Sequence, residues 1–211
     1  GIYNVAIGFE SFYSHTTAAN YNVFMGDGAG KALLTGDDNT GIGSKALFNI
    51  LGSDSTAVGA NAGRYATGSY NTFVGSDAGL GGTTSAPYSS GEYNTSLGYQ
   101  TLKAFTTGYK NTVIGYNAGI AVTTGYENVF IGDSAADGVT TGTQNTCVGS
   151  RAGDGLPAGA GEFTLVGRFA GGSINSNDAT GATAVGSQAA ATLTSGQRAT
   201  ALGHMAMYTN S

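Results

Sequence analysis

At 211 residues the chain is long enough for one or two domains with a real core, yet Asp, Glu, Lys and Arg supply only 10% of it against roughly 25% in ordinary soluble domains, while 37 residues are Gly. An apolar fraction of 40% excludes a disordered chain, and two prolines without a strict three-residue glycine period exclude collagen. A net charge of -5 leaves no basic footprint for nucleic acid, the single Cys147 excludes an intramolecular disulfide, and no run reaches the ~18 apolar residues of a membrane span.

The first segment, "NVAIG" at residues 4–8, reads as a short strand closed by glycine, and the same unit returns along the whole chain. Its closing glycines are Gly8, Gly26, Gly43, Gly59 and Gly75, then, after a longer interval, Gly98, Gly115, Gly132, Gly149, Gly167, Gly186 and Gly203. Successive spacings of 18, 17, 16, 16, 23, 17, 17, 17, 18, 19 and 17 give twelve units with a period near 17. A period this short, with two short strands and two turns expected per coil, fits a parallel β-roll or β-helix and not the helical repeats of ~33 to 45 residues. At ~4.8 Å per rung the twelve coils would form a rod of roughly 55 Å. The chain is expected to be a single repeat domain over 1–211, and a piece of a longer protein, because Gly1 already lies inside the pattern.

An aliphatic residue precedes every closing glycine, from Ile7 and Met25 through Ile114 and Ile131 to Leu202. Two residues before it stands a β-branched one, from Val5 and Val23 through Thr112 and Val129 to Thr200. With a side-chain period of two these columns share one face of the strand, which is expected to be the core. The position between them, on the opposite face, is also mostly apolar, and a strand apolar on both faces is covered on both. Ordering some 17 residues costs more backbone entropy than a few buried side chains per coil return. The opposite column, with Phe24, Phe73, Val113, Phe130, Cys147 and Leu165, is therefore expected to be an interface with partner chains.

Smaller residues punctuate each unit. The strand opens on Asn in eight units, Asn4 to Asn145, where stacked side chains can form hydrogen-bonded ladders between coils. Ala stands three residues after the closing glycine in ten units, with Ser11 and Thr101 in the other two, so only a small side chain is expected to fit there.

These units resemble the head repeats of YadA-like trimeric autotransporter adhesins in "NVAIGFES", "STAVGANA", "ATAVGSQA" and "ATALGHMA". "TTGYKNTVIGYNAG" resembles still more closely the NTxIGxxAG repeats of bacteriophage tail fibres and bacterial surface fibres. The resemblance runs from residue 1 to about 207 and implies a left-handed parallel β-roll, a homotrimer around one axis, and attachment at a virion or bacterial cell surface, hence an extracellular protein. Membrane contact would come only through segments outside this chain.

Motifs for chemistry are absent from the pattern. "GDGAGK" at residues 26–31 lacks the first glycine and the hydroxyl residue of a phosphate loop, Asp27, Asp77 and Asp133 are too scattered for a calcium roll, and His15 and His204 have no ligand-spaced partners. No repeat combines nucleophile, base and orienting acid, so no enzyme, metal or cofactor is expected. Tyrosines are the stronger signal, since a ring with a polar tip suits sugars and protein contacts. The period breaks at residues 80–93 and 154–181, where Pro87 and Pro157 lie, and loops on a rigid rod carry recognition. Tyr88, Tyr93, Tyr99 and Tyr116 are accordingly the expected contacts for a cell-surface glycan or protein receptor. A purely structural spacer is the alternative. An ice-binding solenoid is disfavoured, because the threonine column is expected to point inward with the aliphatic one.

Overall fold

The computed structural model describes residues 1–14, 18–32, 35–82, 88–174, 181–193 and 198–208. Pro87, His15 and parts of both period-breaking segments lie outside these residues. Twelve three-residue strands form one parallel sheet in sequential order, and no helix occurs among the described residues. They are β1 (Val5–Ile7), β2 (Val23–Met25), β3 (Thr40–Ile42), β4 (Thr56–Val58), β5 (Thr72–Val74), β6 (Thr95–Leu97), β7 (Thr112–Ile114), β8 (Val129–Ile131), β9 (Thr146–Val148), β10 (Thr164–Val166), β11 (Thr183–Val185) and β12 (Thr200–Leu202). The chain is an all-β parallel solenoid with one strand per coil. Pairing is in phase, as in Thr112↔Val129, Val113↔Phe130 and Ile114↔Ile131, so each sequence column is a column in space. The longer interval between β5 and β6 is absorbed outside the sheet, where Thr72 still faces Thr95.

The second strand expected in each coil does not form among the described residues. On the return side the second and fourth residues after the closing glycine are left-handed, as in Ser134 and Ala136, both at φ 50°. A left-handed residue at every other position breaks the extended pleat. Its amides bond alternately to the coils before and after instead: Ser134 N donates to Tyr116 O at 2.8 Å, and Ala136 N to Ala152 O at 3.0 Å. The backbone is thus satisfied without a ladder.

The two faces of the sheet are the reverse of the sequence expectation. Phe24, Phe73, Val113, Phe130, Cys147 and Leu165 are fully buried inside the chain itself, so they form its core and offer no surface to a partner. They pack against the alanine column, including Ala118, Ala135 and Ala152, in one cluster that runs from Phe12 to Ala201. Size complementarity explains why this column varies. A Cβ at Gly41 would meet the Phe24 ring at 2.7 Å and one at Gly30 would meet it at 2.6 Å, so glycine on the neighbouring positions makes room for the ring. Where the strand offers Ser96, the alanine position holds Thr101, and their hydroxyls hydrogen-bond at 2.6 Å. Burial pushes the Cys147 thiol up to about 12, which leaves it a packed and inert group.

The asparagine ladder forms as expected. Asn128 Nδ2 donates to Asn111 Oδ1 at 3.0 Å and to Gly142 O at 2.8 Å, while Asn145 N donates to Asn128 Oδ1 at 3.0 Å. Each buried amide therefore bonds to the coils on both sides, which locks the register.

Candidate functional site

Because the middle position of each strand points into the coil, the two regular columns point out of it. One holds Thr in nine strands and Val in three, and the other is aliphatic throughout, from Ile7 to Leu202. Ile7, Met25, Ile42, Val58, Leu97 and Leu202 are exposed, and along β7 to β9 both columns are half-buried by their own neighbours. The result is one largely apolar stripe, an aliphatic column beside a mostly threonine one, roughly 55 Å long and ~10 Å wide.

Tyrosines line both margins of this stripe. Tyr3, Tyr21, Tyr70 and Tyr93 stand two residues before their strands, whereas Tyr99 and Tyr116 follow the closing glycines of β6 and β7. In-phase coils stack them: Tyr3 on Tyr21 at 5.1 Å, Tyr70 on Tyr93 at 4.9 Å, and Tyr99 on Tyr116 at 5.4 Å between centroids. Tyr70 and Tyr93 have φ of 61° and 57°, a left-handed turn that takes their side chains off the coil. Tyr88 is placed elsewhere, half-buried over Tyr65 at 6.2 Å. The four expected contact residues therefore do not form one site. Tyr93 lies on one margin, Tyr99 and Tyr116 lie on the other, and Tyr88 packs on the return side.

Beside Tyr93 the tyrosines change column. Tyr109 and Tyr126 stand three residues before β7 and β8 and stack at 4.8 Å with 7° between planes. Tyr93 is followed in its own column by Lys110, and Tyr109 is preceded in its column by Glu92. The end of one stack and the start of the next thus border one groove of about 360 Å³, lined by Ser90, Gly91, Glu92, Tyr93, Thr107, Tyr109 and Lys110. Lys110 Nζ lies 3.6 Å from Glu127 Oε1 and 5.8 Å from the Tyr109 ring centre. Tyr109 belongs to the tyrosines that the sequence marks but not to the four expected contacts, and Lys110 and Glu92 carry no signal of their own there. A column-by-column comparison of the tyrosines, two against three residues before the strand, is the signal that finds them.

Burial, then the hydrogen bond that the protonated Asp137 carboxyl donates to Asp154 one coil on, then repulsion by the Asp154 charge, push the Asp137 carboxyl up to about 6, and Arg151 and the Gly138 backbone partly offset this. A folded-state value above the unfolded one near 3.8 means that the stability from this group is complete below that pH and is lost as pH rises towards 6. Asp137→Asn is therefore expected to raise stability at pH 7.5 by roughly 1 kcal/mol, after allowance for solvent screening, and to change nothing near pH 3.5. Urea midpoints at the two pH values check this, and an equal gain at both would show that the carboxyl charge is not the cause. Among the described residues no group of three or more His, Cys, Asp or Glu could hold a metal ion, and no helix is long and apolar enough to cross a membrane. His204 is exposed.

Compared with protein-family models, curated proteins and solved structures, the chain matches none.

Proposed function

We propose that the chain is a segment of a surface fibre, extracellular on a virion or bacterial cell, that assembles as a homotrimer and mediates attachment to a host or surface receptor. The observation that carries this is the apolar stripe of β1 to β12, a flat and repeated surface with two side chains per rung. Three copies around one axis would cover all three stripes at once, in a closed arrangement. The left-handed winding and the trimer follow from the resemblance to YadA-like heads and tail-fibre repeats. Their assignment to the sheet face, in place of the buried column of Phe24 and Phe130, follows from burial. Light scattering on the purified chain is expected to give three times the monomer mass, and a folded monomer would refute the assembly. Binding of the labelled chain to whole cells tests attachment, and a spacer would give none.

A second function draws support from the same face. The nine threonines stand outside the coil in an in-phase array, so the inward direction that disfavoured ice binding does not hold. An ice-binding face has to stay free, however, which makes the two functions exclusive. Thermal hysteresis from a monomer supports ice binding, and a trimer without hysteresis supports the fibre.

A further inference from the structure

We infer that the groove between the two tyrosine stacks is a saccharide site that takes a neutral pyranose ring. This assignment deepens the attachment function and rests on it. A stacked ring has its faces covered by its neighbours, so only the terminal ring of a stack has a face to offer. Tyr93 is the last ring of the stack that begins at Tyr70, and Tyr109 is the first of the stack that continues to Tyr126. Both border the same groove, and both are exposed, 52% and 38% respectively. This is the place among the described tyrosine pairs where two stack ends line one groove.

The lining matches the chemistry of a hexose. A pyranose presents a flat patch of C–H groups on one side, which packs on the face of an aromatic ring, and a belt of hydroxyls that need donors and acceptors. Glu92, Lys110, Ser90 and Thr107 line the groove with the two tyrosines, and side chains of these types supply both. A cavity of about 360 Å³ has the size of small-ligand pockets and accommodates one or two sugar rings. Charge selects the class of sugar. Lys110 is already paired with Glu127, and Glu92 is a second carboxylate on the groove, so the local balance is negative and disfavours sialylated or sulfated glycans. The groove opens on the turns that lead into β6 and β7, in columns separate from the two that form the apolar stripe.

The test uses the whole chain in its assembled form, titrated with neutral trisaccharides of glucose, galactose and mannose and with sialyllactose. The chain has no Trp, so tyrosine fluorescence and saturation-transfer NMR follow binding directly. Saturable binding of a neutral trisaccharide is expected, weakened at least tenfold by Tyr93→Ala and by Tyr109→Ala, and retained in Tyr109→Phe and in Tyr13→Ala at the distant first coil. All these side chains are exposed, and unchanged circular dichroism confirms the fold of each variant. Absence of binding at millimolar trisaccharide, indifference to both alanine variants, or preference for sialyllactose overturns the site. Whole-cell binding that survives both alanine variants also overturns it while leaving attachment standing. Trisaccharide binding without cell binding supports the site and overturns attachment.

Discussion

Glutamate at both Ile114 and Ile131 is expected to leave the coils folded and to convert the assembly into monomers. The two residues are register partners on the outer face of β7 and β8, in the middle of the apolar stripe. In one chain they are half-buried at the sheet surface, where a glutamate can turn its carboxylate to water, so the cost to the monomer is small. In the proposed trimer the same positions are enclosed by the two neighbouring copies. A carboxylate there loses its water without gaining a partner, at several kcal/mol per group, and three chains bring six such groups to one axis. The mass by light scattering should fall threefold while the far-ultraviolet spectrum is retained. A double variant that stays trimeric would remove the sheet face from the interface, and one that unfolds would place it in the core.

Much of the fold was legible because repetition averages out the weakness of any single motif. The closing glycines placed all twelve strands, and the asparagine column announced its own ladder. What was misread was the direction of the strand. Uniform aliphatic and β-branched columns read as core in the sequence, and the column that mixes Gly41, Ala57, Ser96 and Phe130 reads as interface. The physics is the opposite in a narrow coil. An interior position can change size because its own coil compensates, as Gly30 and Gly41 do for Phe24 and Thr101 does for Ser96. In the proposed trimer the outer face would meet one partner surface along its whole length, so every rung would have to present the same height. Invariance of size marked the outside, and variation matched by a small residue nearby marked the inside. The second strand per coil was overread for a related reason: left-handed turn residues such as Asn117 and Ser134 carry no unique side-chain signature, so alternation of φ is invisible in the sequence. The tyrosine groove is hidden from a reading that looks for contacts where the period breaks, because the proposed site depends on where one column of rings ends and the next begins.

Phe130→Ala is expected to destabilise the folded chain by about 3–5 kcal/mol, against less than ~1 kcal/mol for Val148→Ala on the outer face of the next strand. Both are best measured by denaturant melts in the monomeric Ile114→Glu, Ile131→Glu background, where subunit contacts do not contribute. Phe130 is fully buried between Val113 and Cys147, its register partners on either side, and the Gly119 backbone approaches its ring so closely that a Cβ there would lie 3.0 Å away. The space left by the ring cannot close, because the coil spacing is set by ladder hydrogen bonds such as Gly132 N to Ile114 O at 2.8 Å and by the asparagine column. Each coil touches only its neighbours, so a defect at β8 divides the stack, and the melt should become biphasic. Gly132→Ala is expected to match the loss by a different route: its φ is 136°, and a Cβ would stand 2.4 Å from Gly149 O, so the methyl group forces two coils apart at the point of closest approach. Equal small losses for Phe130→Ala and Val148→Ala would mean that the phenylalanine column is not the interior, and the assignment of the outer face would fall with it.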